Sequence, residues 1–592
     1  MEREDDGSRT TVPAALGLLA AAVLAIGIRL LHLAHPGHHY ILSPDSHFFH
    51  WQAARWLAGD SVPVAWHGGL TYPLAYGARL VGFTCGLSDS SALRVVGTLL
   101  PPAIGLVGLL VMYWGVGRLY GRRAALGAAF LWALLGHVCW TQAAGYLDRD
   151  GLSMVLLSGG VFVFHLSRRL RVMVRGRDVG WALGSLAVLA AMVLLVLEWL
   201  WLGAVLLVVV LVATVLLEVV AGTVVRAARD LDHRVDEMAL VGRLPRHALS
   251  ALARSSWRQV ALILALGLAV VVFKPGLPYI GRMAADVLGG AVSGTQDVGE
   301  LQPLTIGDLL AYIPMAIPLL AGLCLAVRRH RAADILSLAW LSSMGLLAVF
   351  ASRLVLYAAP AACVIGGLGL AWFFNFDGFS STLRYVETPL GVAARPSGRF
   401  ILRAVICTGL AILLVVPSVA GAYRLGASGR VAADREWEEA LGFLNRETPA
   451  EAVVMSWWDY GYWILDMGGR RPVVDNGYYS WDDERLRDVG RAYCTADPAE
   501  AAAVMAAHRA DYLVFSRREV EILPVISRYG EGEELGDGRS VPDELRDSLY
   551  WQALYGDFRG GGGLRRVYPA SDVEEPEVVV LMRTAVASPA GT

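Results

Sequence analysis

Through its first 422 residues the chain alternates long apolar blocks with short arginine-rich connections, and then its pattern changes. Apolar blocks near 12–34, 93–117, 124–141, 151–167, 180–198, 201–223, 259–273, 304–327, 332–350, 354–374 and 401–422 are long enough, or nearly so, for a helix to cross ~30 Å of hydrocarbon. Eleven spans are therefore expected. Block 12–34 is too long for a signal-peptide core and lacks a basic leader, so it reads as an uncleaved first span. After residue 422 the sequence is charged and mixed in pattern. Short β-type segments (Glu451–Met455, Pro472–Val474, Tyr512–Phe515) alternate with helical stretches such as Pro498–His508. The pattern predicts a polytopic α-helical membrane domain over 1–422, followed by a mixed α/β domain over 423–592. Gly560–Gly563 reads as a flexible loop.

Arginine placement orients the chain. Arg118, Arg122 and Arg123 share one connection, Arg168, Arg169, Arg171, Arg175 and Arg177 a second, and Arg328, Arg329 and Arg331 a third. Putting all three in the cytoplasm requires an internal N-terminus, and an odd number of spans then leaves residues after 422 outside. The expected location is a plasma or inner membrane, with the last domain extracytoplasmic.

Composition narrows the class. Hydrophobic residues make up 55% and charged residues 18%, against about 25% charged in a soluble protein. A cytosolic globular enzyme is excluded, and a net charge of −2 gives no reason to expect nucleic acid. The six cysteines are scattered without metal-ligand or disulfide spacing.

The side assigned as external carries the suggestive carboxylates. Asp45 follows the first span in Ser43-Pro44-Asp45-Ser46-His47. Asp148 and Asp150 occupy the short turn Gly145–Gly151, and Glu300 ends a long loop beginning at 274. Acidic turns at a membrane surface can gather around a hard divalent cation, Mg²⁺ or Mn²⁺, although an Asp at a helix end also serves as a cap. The histidines from His32 to His67 are either metal ligands or interfacial residues. In Ser456-Trp457-Trp458-Asp459-Tyr460-Gly461, two adjacent Trp before an Asp and a Tyr-Gly turn do not form a periodic core pattern. Indole N–H groups only donate and a carboxylate only accepts, so together they can satisfy both roles of one hydroxyl.

Trp457-Trp458-Asp459-Tyr460-Gly461 resembles the signature of the catalytic subunits of oligosaccharyltransferases, and the ordered acidic motifs extend the resemblance over nearly the whole chain. It implies a GT-C type membrane fold with thirteen spans rather than eleven. It also implies transfer of an oligosaccharide from a polyprenyl diphosphate to the Asn of Asn-x-Ser/Thr, with inversion and with Mn²⁺ or Mg²⁺ as cofactor. Carried over by position, Asp45 and Glu300 would be catalytic, and Asp45, Asp148, Asp150 and Glu300 would hold the metal. Arg353 would meet the donor diphosphate. Trp457, Trp458 and Asp459 would hold the acceptor hydroxyl, with Ile522 and Ile526 near the same acceptor residue. The implied partners are a lipid-linked oligosaccharide, an acceptor polypeptide and membrane lipids. This sequence carries Ser43 where many relatives have a second acid. A membrane glycosyltransferase that does not modify Asn would share the acidic loops but lack the Trp-Trp-Asp set. A transporter would place its polar residues at the midplane instead.

The orientation has a direct check. A cysteine introduced near Arg171 should resist an impermeant thiol reagent in intact cells, and one near Gly561 should react. The reverse labelling would overturn the assigned sidedness.

Overall fold

The computed structural model describes residues 11–34, 41–60, 70–167, 206–218, 315–329, 331–350, 354–374, 396–427, 433–476, 483–531, 543–556, 558–570 and 576–584, with a few shorter pieces. Glu300, Arg353, the loop from 274 and the blocks 180–198 and 259–273 lie outside the described residues.

The chain folds as two compact units. The first comprises residues 1–38, 64–70 and 99–427, and the second comprises 39–63, 71–98 and 428–592. The helices are α1 (Thr11–Leu30), α2 (Pro44–Leu57), α3 (Thr71–Cys85), α4 (Asp89–Tyr120), α5 (Arg122–Leu134), α6 (Arg149–Ser167), α7 (Ala316–Arg329), α8 (Ala332–Phe350), α9 (Val355–Phe374) and α10 (Pro396–Ala427). Among the described residues three helical stretches are long and apolar enough to cross a membrane: Pro13–Ala34, Asp89–Tyr120 and Val355–Phe373. The block expected as one span over 124–141 is instead interrupted. Helix α5 stops at Leu134 because Leu135 is extended, with ψ 119°, and a short helix Gly136–Trp140 follows.

Small residues let the helices of the first unit approach closely. A Cβ on Gly322 of α7 would overlap the Ile365 carbonyl of α9, and one on Gly369 of α9 would overlap the Pro318 carbonyl of α7. This is the small-residue packing that apolar helices need where lipid offers no hydrophobic drive for association. Arg29, only 1% exposed, shows how a buried cation is tolerated. Its guanidinium donates to the Trp132 carbonyl at 3.3 Å and to Gln142 Oε1 at 2.8 Å. It thereby serves a carbonyl that α5, near its end, cannot pair internally.

The second unit joins α2 and α3 to the C-terminal α/β domain. That domain contains α11 (Arg435–Glu447), α12 (Gly461–Asp466), α13 (Asp483–Cys494), α14 (Pro498–Ala507), α15 (Leu523–Glu531) and α16 (Leu549–Leu554). Its strands are β1 (Val453–Met455), β2 (Arg471–Pro472), β3 (Tyr512–Ser516), β4 (Gly560–Gly561), β5 (Leu564–Tyr568) and β6 (Val578–Arg583), in the order β2-β1-β3-β6-β5-β4. Strand β1 pairs in parallel with β2 and β3, and the remaining pairs are antiparallel. Every residue of β1 and β3 is buried, as central strands covered on both faces require. Helix α11 is capped by Asp434, whose carboxylate accepts the Trp437 N–H at 2.9 Å, and it buries Trp437, Ala440, Leu441 and Leu444 at helical spacing.

Gly560–Gly563 is not a flexible loop. Gly560 and Gly561 pair with Arg565 and Leu564, and Gly562 and Gly563 make the turn with φ of 57° and 87°. Two successive positive φ values are what a tight hairpin turn demands, and glycine supplies them without steric cost.

Gly369→Val should lower the thermal stability of the detergent-purified chain by on the order of 3 kcal/mol through overpacking. Gly345→Ala in α8, where a Cβ meets nothing within 4 Å, should be neutral or slightly stabilising. Equal melting temperatures for the two variants would contradict the close crossing of α7 and α9.

Candidate functional site

The Trp-Trp-Asp turn grows directly out of the sheet. Strand β1 ends at Met455, Ser456 is buried, and residues Trp458–Tyr460 form one 3₁₀ turn before α12. The chain next pairs β2 on one side of β1 and later β3 on the other. The turn thus lies at the carboxyl end of a parallel strand where the connections diverge, the usual ligand position in such sheets. Gly461 is dictated by sterics, since a Cβ there would overlap the Asp475 backbone.

The aromatic residues of the motif divide between packing and exposure. Tyr460 is buried against Trp437 with ring centroids 4.3 Å apart, and Trp463 lies 5.4 Å from the same ring. Trp457 is 2% exposed, and its ring edge meets Tyr529 at 5.8 Å. Its backbone N–H donates to Tyr493 Oη at 2.8 Å, and Tyr493 Oη also contacts Glu519 Oε1 at 2.9 Å. Glu519 is fully buried, and burial pushes its carboxyl well above the usual range. Trp458 and Asp459 are half-buried at the edge of this core. Among the described residues neither the Trp457 nor the Trp458 indole N–H has a partner, and the Asp459 carboxylate accepts no hydrogen bond. Two donors and one acceptor on adjacent residues are thus left for something else to satisfy.

Asp45 is brought to this turn although it lies at the other end of the chain. It occupies the first turn of α2, which begins at Pro44 and is capped by Ser43, whose hydroxyl accepts the Ser46 N–H at 3.4 Å. Ser43 adopts φ 67°, a strained value for a side chain with a Cβ. Burial first, and then the charge of Asp45, push the Asp459 carboxyl up to about 7. From α2, His47 and His50 reach the last residue of α12. His47 Nδ1 lies 2.6 Å from one Asp466 oxygen and His50 Nδ1 lies 2.8 Å from the other. Burial would raise the Asp466 carboxyl, but the two imidazole hydrogen bonds and charges outweigh it and hold the carboxyl down at about 2. Phe48 packs on Tyr462 at 4.6 Å. Both histidines thus turn Nδ1 to a carboxylate.

The other expected site residues are placed as follows. Asp148 precedes α6, and its carboxylate accepts the Asp150 N–H at 3.2 Å, as a helix cap does. Asp150 is buried and accepts the Tyr357 hydroxyl at 2.7 Å. Among the described residues no three His, Cys, Asp or Glu side chains are grouped as a metal site would need. Ile526 is fully buried in the core of the C-terminal domain, where it presents no surface to a peptide, whereas Ile522, one turn earlier, is only partly buried. Glu300 and Arg353 lie outside the described residues. Sequence reasoning missed Asp466, Tyr493 and Glu519. The i, i+3 spacing of His47 and His50 on one helix face was the only available sign of a shared partner.

A carboxyl that ionises near 4 when unfolded but near 7 when folded costs stability as pH rises between those values, because the unfolded chain releases the proton first. Asp459→Asn should therefore stabilise the chain at pH 8 by on the order of 2 kcal/mol, allowing for partial exposure. At pH 4 the gain should vanish. Thermal unfolding in chelator-containing buffer checks this, and a pH-independent gain would count against it. Tyr493→Phe should destabilise by about 1–3 kcal/mol, since it strands the buried Trp457 N–H.

No protein-family model matches the chain. A stretch of 76 residues is 45% identical to dolichyl-diphosphooligosaccharide–protein glycosyltransferase subunit STT3B of Oryza sativa subsp. japonica, covering 13% of this chain and 10% of that protein. A longer stretch of 244 residues is 29% identical to dolichyl-phosphooligosaccharide-protein glycotransferase 1 of Pyrococcus horikoshii, covering 37% of this chain and 23% of that one. The matches thus span a quarter or less of these relatives' own lengths. The solved structure of the archaeal oligosaccharyltransferase AglB from Archaeoglobus fulgidus, in complex with an inhibitory peptide and a dolichol-phosphate, superimposes with a TM-score of 0.69 at 15% identity, covering 94% of this chain and 79% of that one. The expected GT-C type membrane fold with a C-terminal α/β domain is the fold the two share. Over these stretches the chain is similar in sequence to oligosaccharyltransferase catalytic subunits, and it shares the fold of the archaeal structure.

Proposed function

We propose that the chain transfers an oligosaccharide from a polyprenyl-diphosphate donor to the Asn side chain of Asn-x-Ser/Thr, on the extracytoplasmic face of a membrane. The observation that carries the reading is the turn after β1, where two indole N–H groups and one carboxylate on adjacent residues have no hydrogen-bond partner among the described residues. A hydroxyl two residues after the acceptor Asn would satisfy all three, accepting from Trp457 and Trp458 and donating to Asp459. The position of Asp45 beside this turn supports the reading further.

An amide nitrogen is a poor nucleophile because its lone pair is delocalised, with a rotation barrier of about 18–20 kcal/mol. Asp45 and Glu300 would accept the two N–H bonds of the acceptor amide, weaken that delocalisation and aim the nitrogen at the anomeric carbon. Attack from the face opposite the departing diphosphate inverts the configuration. Arg353 would supply fixed positive charge to the donor diphosphate. The hard oxygens of Asp45, Asp148, Asp150 and Glu300 suit Mn²⁺ or Mg²⁺, which when bound would draw charge from the leaving group as a Lewis acid. The lipid donor would enter laterally between helices.

Transfer to peptides with Thr, Ser or Ala at the second position after Asn tests the pocket. A site built to bond a hydroxyl can reject the analogue lacking it by as much as ~10⁴-fold in kcat/KM. Thr and Ser should differ far less, and Asp459→Ala should damage both alike. Chelation should abolish transfer, and Mn²⁺ or Mg²⁺ should restore it. If Asp459→Ala leaves hydroxyl selectivity intact, a lipid-linked-sugar glycosyltransferase acting on another acceptor becomes the better reading.

A further inference from the structure

Asp466 belongs to no part of the proposed chemistry, yet its surroundings are built with care. Its side chain is 8% exposed, and each of its two oxygens meets one imidazole, His47 on one side and His50 on the other. A carboxylate only accepts, so both Nδ1 atoms donate and both rings are fixed in one tautomer. The two histidines are three positions apart on α2, which puts both on the face that meets α12. The partners are 419 and 416 residues distant along the chain. Hydrogen bonds to an ionised group are about twice as strong as neutral ones, and two from one rigid helix fix its rotation as well as its distance.

The geometry of the second unit gives this bracket a purpose. Asp45 stands two residues before His47 on α2, and Asp459 stands seven residues before Asp466. The charge of Asp45 reaches Asp459, so the two carboxylates repel at the place where α2 and the turn after β1 come together. Phe48 on Tyr462 supplies apolar contact, but that contact alone does not fix the rotation of the helix.

We propose that Asp466, gripping His47 and His50, is a positioning residue that holds the start of α2, and with it Asp45, against the Trp457–Asp459 turn. Asp466 touches neither donor nor acceptor. Only the consequence for turnover rests on the proposed reaction; the mechanical role of the bracket does not.

Hydrogen exchange measured by mass spectrometry on the full-length detergent-purified chain separates the two. The variants are Asp466→Ala, the pair His47→Leu with His50→Leu, and the pair His47→Asn with His50→Asn, which keeps one N–H donor near each lost Nδ1. Amides of residues 44–57 should exchange at least ~10-fold faster in the Ala and Leu variants, while those of β1, β3 and β6 stay protected. The Asn pair should recover much of the protection. Unchanged exchange in α2 of Asp466→Ala would overturn the proposal. If Asp466→Ala also loosens the strands, His50→Leu alone decides: faster exchange confined to α2 supports the bracket, and unchanged exchange refutes it. On the proposed reaction, the Ala and Leu variants should lose kcat at least ~10-fold with KM for the acceptor peptide little changed, and the Asn pair should regain it. Loss of α2 protection with kcat intact would leave the bracket standing and remove Asp45 from the chemistry.

Discussion

The packing of α2 against the C-terminal domain, with Asp466 between His47 and His50, is the contact on which the candidate site depends, because it brings the charge of Asp45 to bear on Asp459. Both oxygens of Asp466 are met by imidazoles of that one helix, His47 and His50. The same region carries other local costs: Ser43 at φ 67° and two indole donors that find no partner among the described residues. Backbone strain and unsatisfied polar groups of this kind persist where a bound molecule completes the arrangement. Behind them, Tyr493 accepts the Trp457 backbone N–H and itself meets Glu519.

Much of the architecture was legible in the sequence because it depends on composition and period. Apolar blocks became helices over 12–34, 93–117, 151–167, 332–350 and 354–374, and the segments around Val453, Tyr512 and Pro498 formed the expected strands and helix. Local backbone chemistry that a window of hydropathy cannot register caused the misreadings. An extended Leu135 before Gly136 broke one block, and Gly562-Gly563 made a hairpin turn where four glycines suggested slack chain.

The candidate site was legible in its residue types but not in its assembly. Trp457, Trp458 and Asp459 were visible because adjacent tryptophans before an acid fit no core periodicity. Asp466 was invisible because nothing at position 466 points to a helix more than four hundred residues earlier. Helices α2 and α3 also belong to the same compact unit as the C-terminal domain, rather than to the unit that holds α1. That regrouping arises from tertiary contact between α2 and α12, and no local pattern encodes it.

The most direct measurement of the central claim is the mass of a synthetic peptide after incubation of the purified chain with a lipid-linked oligosaccharide. An Asn-x-Thr peptide should gain the glycan on the Asn side chain amide, and the same peptide with Gln in place of Asn should gain nothing. Glycan found on the Thr hydroxyl, or equal modification of the Gln peptide, would contradict the assignment of Asn as the acceptor.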